Sequence, residues 1–171
     1  MEHTTPVLIR PVTPSDLAAV TAVEAICFPA AEAATEESFR ARIAAFQECF
    51  FVAIQGESII GFINGCATDE RTIRDEMFAD SSLHNPTGRY QSIFGLDVLP
   101  EYRKKGIAAA LMEHMIEDAR KKGRAGLILT CKERLIPYYE KFGYKNLGVS
   151  ASVHGGAVWY DMLLEFAEQN A

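Results

Sequence analysis

Arg103, Lys104 and Lys105 stand directly ahead of Gly106, and the residues that follow begin a helical pattern. A helix start already carries partial positive charge from N–H groups that have no intrahelical partner, so cations there are unfavourable. A bound polyanion removes the conflict, because dipole, free N–H groups and side-chain cations then all point at it. Gly106 lets backbone approach such a ligand, and the small Ala108–Ala110 keep bulk away. The opposing reading is a solvated charge cluster. The apolar strand before it and the apolar helix after it favour the phosphate site. A Walker A loop requires Gly-Lys-Ser/Thr, whereas here the lysines precede the glycine. The dinucleotide fingerprint requires three spaced glycines, and this turn has one.

Other side chains offer chemistry with less support. Cys131 invites a covalent nucleophilic scheme, but a nucleophilic thiol needs a base or an electropositive pocket, and Lys132 alone is thin support. A buried structural thiol is the better reading. Leu135, Tyr138, Tyr139 and Phe142 form one apolar helical stripe, in which either tyrosine could be plain core.

The elements that must position these residues follow from periodicity and punctuation. "VLIRPVT" is a strand stopped by prolines. "PSDLAAVTAVEAICF" is a helix with Leu17, Val20, Val23 and Ile26 on its apolar face and a start at Pro14–Asp16. "ATEESFRARIAAF" is a second helix, with Thr35 or Glu36 near its cap and Phe39, Ile43 and Phe46 inward. "CFFVAIQGESIIGFINGCAT" is a hairpin. A polar segment from Asp69 to Tyr90 follows and is read as a long loop. "QSIFGLDVL" is the next strand, then a helix from Gly106 to about Lys122 with Ala108, Leu111, Met112, Met115, Ile116 and Ala119 as its stripe. "AGLILTC" completes a strand–helix–strand unit. "RLIPYYEKF" is a further helix, ended by Gly143, and "YKNLGVS", the turn "HGG" and "AVWYDMLLEF" close the chain. The fold class is α/β (α+β): a mixed sheet in one domain spanning residues 1–171.

Arg103, Gly106 and Ala108 resemble the Arg/Gln-x-x-Gly-x-Gly/Ala signature of the GNAT acyltransferase superfamily. "LDVLPEYRKKG" and "YYEKFGY" support the resemblance, and so does the order of elements. Within the superfamily the chain is similar to the arylalkylamine (serotonin-type) N-acetyltransferases and their bacterial relatives, through "HNPTG", "LTCKERLIPYYEKFGYKNLG" and "VHGGAVWYDML". The likeness covers roughly residues 7 to 165.

It implies the GNAT fold, a mostly antiparallel mixed sheet with a central parallel pair flanked by helices. It also implies transfer of acetyl from acetyl-CoA to a primary amine by direct attack in a ternary complex. Arg103, Lys104, Lys105, Gly106, Ile107, Ala108 and Ala109 would then hold the pyrophosphate. The strand edge at Leu96, Asp97 and Val98 would pair with the pantetheine arm, as a peptide adds to a sheet. Tyr139 falls on the family's tyrosine and would protonate the departing thiolate, while Tyr138 is read as core. Phe28 and Pro29, in "CFPAAEAAT", would line the amine pocket. The animal arylalkylamine enzymes use two histidines on the fourth strand. Here Ser92 and Phe94 occupy those positions, and Ser92 could at most orient a water. Glu24, His84 and His154 are available as relays, but each is read as an ordinary surface or loop residue, and none is nominated as the base.

Composition bounds the partners. The chain has 171 residues, 49% hydrophobic and 23% charged, with net charge -6. This is the make-up of a globular protein and a poor match to the basic footprint of nucleic-acid binders. Cys27, Cys49, Cys66 and Cys131 show neither CxxC pairing nor metal-ligand spacing, so reduced thiols and no metal are expected. No apolar run reaches membrane-spanning length, and "MEHTTPVLIR" lacks a signal-peptide layout, which suggests the cytoplasm. The expected partner is a small-molecule amine, aryl, alkyl or polyamine, met by a monomer or homodimer. A protein amine, or an acyl-CoA-sensing module with little catalysis, are the alternatives.

Overall fold

In the computed structural model, residues 6–167 are described. The opening stretch read for a signal peptide lies partly outside them, at residues 1–5, and the four C-terminal residues of the expected domain lie outside as well. The backbone divides into two compact units, Met1–Gly65 with Gly95–Met115, and Cys66–Phe94 with Ile116–Ala171.

The first unit is built on four strands in the order β1 (Val7–Pro11), β2 (Phe50–Gln55), β3 (Ser58–Asn64) and β6 (Gly95–Val98), every pair antiparallel. Helices α1 (Leu17–Cys27) and α2 (Glu36–Phe46) belong to the same unit. Thr35 caps α2 by accepting the Ser38 N–H at 3.2 Å, as "TEES" suggests. Phe39, Phe50 and Phe62 form its aromatic core, with ring centroids 5.5–6.0 Å apart and no exposed surface. Burying each contributes roughly 2–3 kcal/mol.

The face of α1 differs from the expected one. Ile26 is 60% exposed, while Glu24 is buried with Val20 and Val23. Steps of three residues drift around a helix, whereas Val20, Val23, Glu24 and Cys27 share one side at true helical period. Glu24 is therefore not the surface residue it was taken for.

The second unit holds five strands in the order β4 (Ala67–Thr68), β5 (Tyr90–Ile93), β7 (Gly126–Cys131), β9 (Tyr160–Glu165) and β8 (Lys145–Val149). β5 and β7 are the expected parallel pair, and the other neighbours are antiparallel. Leu127, Ile128, Met162 and Leu164 form its core. The boundary between units falls inside α4 (Ile107–Lys121).

Four expectations are corrected. The strand "QSIFGLDVL" is two strands, because β5 pairs with β4 and β7 while β6 pairs with β3. The single mixed sheet is accordingly two sheets. Alternation in a sequence shows that a segment is extended but not that its partner changes midway. The segment 69–90 contains a helix, α3 (Asp75–Ala79), too short to show a period; its first-turn Asp75 and Glu76 suit the dipole, and Met77 anchors it. The final strand begins at Tyr160 rather than Ala157.

Candidate active site

β6 is an edge strand of its sheet. The Leu99 N–H donates to the Ile60 carbonyl at 2.9 Å, so alternation turns the amides of Leu96 and Val98 to the open edge. Pro100 stops the strand and opens a 3-10 turn over Pro100–Tyr102. Lys104 then takes φ of 64°, the one left-handed non-glycine residue among those described, and Gly106 takes φ of 80°. A lysine in that region is strained, and such strain concentrates at ligand-binding turns. The first rung of α4 is the Ala110 N–H to the Gly106 carbonyl at 3.0 Å, which leaves the N–H groups of Ile107, Ala108 and Ala109 ahead of the ladder. Lys104, Lys105 and Gly106 are exposed.

The three cations are not equivalent. Arg103 donates Nε–H to the Val98 carbonyl at 2.9 Å, so its guanidinium folds back onto the end of β6. Lys105 Nζ lies 5.5 Å from the centre of the Tyr102 ring. The turn thus presents backbone amides and Lys104 at its apex, with Arg103 bracing it from behind. An anion of pyrophosphate size fits this donor set.

The loop after α1 lies in the same unit. Phe28 leaves the helix in extended conformation and is half-buried, and Pro29 is exposed. The Pro29 carbonyl accepts from Glu32 and Ala33, both at 2.9 Å, which gives the loop a helical turn. Cys27 donates its thiol to the Val98 carbonyl at 3.4 Å, and burial pushes that thiol upward.

Between these two pieces lies a polar group that sequence reading missed. Glu24 from α1, Arg42 from α2, Asn64 from β3 and Asp97 from β6 are all buried, with Asn64 and Asp97 only 1% exposed. Arg42 Nη1 donates to Asn64 Oδ1 at 3.2 Å, and Glu24 Oε2 accepts the Ala34 N–H at 2.8 Å. Neither carboxyl oxygen of Asp97 has a donor among the described residues. Burial and the Glu24 carboxyl beside it hold Asp97 well above the usual carboxylate range, against a smaller opposing pull from Arg42. The signal was legible: charged residues stand on the inward faces of both helices, Glu24 four after Val20 and Arg42 three after Phe39.

Tyr139 lies in the second unit, on α5 (Ile136–Glu140), which Pro137 opens from its first turn. Tyr138 and Tyr139 are both half-buried, so Tyr138 is not the full core residue expected. Their rings meet edge-on at 5.2 Å, and Tyr139 reaches Tyr144 at 6.1 Å. Tyr144 is the core tyrosine, and burial raises its phenol well above the ordinary value. Ser92 is fully buried and donates Oγ–H to the Cys66 carbonyl at 2.8 Å, so its hydroxyl proton is engaged within the sheet. Phe94 packs on Phe78 at 4.9 Å. His84 Nδ1 accepts the Ala67 N–H at 3.0 Å, and His154 stacks on Phe78 at 5.1 Å. Cys131 is buried, and burial pushes its thiol up to about 11, which suits the structural reading.

An edge strand running through a left-handed turn into a helix start offers an extended, anion-bearing ligand a continuous run of backbone donors. The chain belongs to the Acetyltransferase (GNAT) family, whose model matches residues 17–144. It is 29% identical to human N-acetyltransferase 8 over 105 residues, 60% of this chain and 40% of that protein. It is 28% identical to serotonin N-acetyltransferase of Mesocricetus auratus over 107 residues, 61% of this chain and 49% of that one. The matches thus span less than half the length of these curated relatives. The GphF GNAT-like decarboxylase, solved with isobutyryl-CoA, superposes with a TM-score of 0.81 at 20% identity, over 92% of this chain and 98% of that one. This likeness establishes the fold.

Proposed function

We propose that the protein transfers the acetyl group of acetyl-CoA to the primary amine of a small molecule. The observation that carries this reading is the continuous run of an open-edged β6, the left-handed turn at Lys104–Gly106 and the start of α4. The amides of Leu96 and Val98 would pair with pantetheine, and those of Ile107, Ala108 and Ala109, with Lys104, would hold the pyrophosphate. Acetyl-CoA supplies an activated acyl group and a thiolate leaving group. Arg103 supports the turn by fixing it to Val98. Phe28 and Pro29 would line the acceptor pocket.

Tyr139 is the proton donor to the leaving thiolate under this reading, since a phenol of pKa about 10 is a sensible match to a thiol of about 8.5. Its half-buried position on α5 is compatible with that role. The relatives' names support amine acetylation, serotonin included.

The test is amine-dependent thiol release from acetyl-CoA with tryptamine, phenethylamine and spermidine, alongside calorimetry with CoA. Tight CoA binding with no amine-dependent release across a broad panel would instead make the protein an acyl-CoA sensor. Tyr139→Phe is expected to lower kcat by about a hundredfold or more while leaving CoA affinity unchanged. Full activity in that variant removes Tyr139 from the reaction.

A further inference from the structure

The loop that carries Phe28 and Pro29 has no buried side chain to anchor it, since every residue from 28 to 34 is half-buried or exposed. A segment of that kind holds one conformation only if its hydrogen bonds fix it. Glu24 supplies bonds at both ends. Its backbone carbonyl accepts the Phe28 N–H at 3.0 Å, and its Oε2 accepts the Ala34 N–H at 2.8 Å. The turn closed by the Pro29 carbonyl lies between these two bonds. A carboxylate accepting a backbone N–H makes one of the stronger hydrogen bonds available to a loop, and Glu24 is only 7% exposed, so water competes little for it.

The same end of α1 is fastened to the strand assigned to the cofactor arm. Cys27 donates its thiol to the Val98 carbonyl at 3.4 Å, and that carbonyl also accepts Arg103 Nε–H at 2.9 Å. One helical turn earlier, Glu24 Oε1 faces β6 at Gly95, where a Cβ would come within 3.8 Å of it. The bare glycine lets the carboxylate lie close to the strand. Glu24 thus turns one oxygen to the loop and the other to β6.

We propose that Glu24 is a positioning residue for the acceptor amine: it closes the loop 28–34 and holds Phe28 and Pro29 at a fixed place relative to β6. The role asks for an acceptor oxygen toward Ala34 and involves neither proton transfer nor contact with the amine. Without that bond the incoming amine must order the loop itself, which weakens its binding. The chemical step and the backbone run that receives the cofactor are left as they were. Glutamine meets the same requirement. Its side-chain oxygen can accept from Ala34, and its amide nitrogen would face Asp97, which has no donor among the described residues.

The proposal rests on the acetyltransferase reading and on the placement of Phe28 and Pro29 beside the acceptor, and it is tested in the full chain. The substrate is whichever of tryptamine, phenethylamine and spermidine releases thiol fastest from the parent. Glu24→Ala is expected to raise KM for that amine about tenfold, with kcat and KM for acetyl-CoA within about twofold of the parent. A merely structural loss would lower the active fraction, and hence the apparent kcat, without this split. Glu24→Gln is expected to keep KM for the amine within about threefold. Amide hydrogen exchange followed by NMR gives a reading that does not depend on activity. The Ala34 amide of the parent is expected to exchange at least tenfold more slowly than an unbonded amide, and Glu24→Gln to retain most of that protection. This measurement decides the matter if Glu24→Ala does not fold. An unprotected Ala34 amide in the parent, equal damage from Gln and Ala, or a fall in kcat with KM for the amine unchanged overturns the clamp and leaves acetyl transfer standing. A parent that binds CoA but releases no thiol with any amine removes the acetyltransferase reading, and this role with it, even where Ala34 is protected.

Discussion

Asp16 and Asp97 are buried aspartates of the same unit, and they have been treated in opposite ways. Asp16 receives Arg10 through both nitrogens, at 2.7 and 3.0 Å, and the Thr13 N–H at 2.8 Å. The Arg10 guanidinium and the Thr13 amide hold its carboxyl below the usual range. Asp97 is more deeply buried and receives no donor among the described residues, and its carboxyl is held well above that range. Burial pushes both carboxyls up; at Asp16 the donors outweigh it, and at Asp97, more deeply buried and beside Glu24, none does. A carboxyl that a fold needs as an anion is given donors, as Asp16 is at the start of α1. One left without them, beside a second carboxyl, keeps its proton to higher pH.

The comparison breaks most visibly at Asp16. Asp16→Ala removes the acceptor of the Thr13 N–H in the short 3-10 turn Pro14–Asp16 and leaves Arg10 without its partner. It is expected to cost about 2 kcal/mol, since Arg10 is partly solvated. Urea denaturation checks this. A loss below about 0.5 kcal/mol would mean that the donors around Asp16 are incidental.

How far the sequence carries this contrast depends on the range of each interaction. Arg10 and Asp16 are six residues apart, and "RPVTPSD" already marked a helix start, so that end of the molecule was legible locally. The cationic turn was legible too, because its conflict with the helix dipole lies within a few residues. The Asp97 cluster draws on four elements spread from residue 24 to residue 97. Its assembly depends on β6 changing partner after Phe94, which alternation cannot reveal. Glu24 was misjudged for a smaller reason: the apolar face of α1 was drawn by steps of three, which led to Ile26 and away from the true inward side.

The pH dependence of stability sharpens the comparison, because the two aspartates carry opposite signs. Asp16 has a lowered folded pKa, so its contribution is present above the unfolded carboxylate range and is lost as pH falls through the folded value. Asp97 has a raised folded pKa, so its contribution is present below the unfolded range and is lost as pH rises through the folded value. Asp97→Asn is neutral at every pH. The parent's advantage over it is expected to shrink by at most about 1.4 kcal/mol per pH unit between the unfolded carboxylate range and the folded ionisation, and to level off above it. Thermal melts of both proteins from mildly acidic to alkaline pH measure the slope. Parallel curves would mean that Asp97 is ionised throughout, and the contrast with Asp16 would collapse.

Arg10→Lys isolates the smallest part of the argument, the geometry of donation apart from charge. Lysine keeps the cation but cannot bond both Asp16 oxygens at once in the planar fork seen here. Arg10 is 34% exposed on its side chain, so water compensates part of the loss, and about 0.5 kcal/mol is expected. The acid-side stability curve decides the matter more finely than the total. If charge alone depresses Asp16, the lysine variant loses stability over the same pH range as the parent. If the paired hydrogen bonds from Arg10 dominate, the loss ends at higher pH and is smaller in total, because the carboxyl is less depressed. An unshifted curve would transfer the credit from donors to charge, and the same revision would then apply to Asp97, which Arg42 pulls downward.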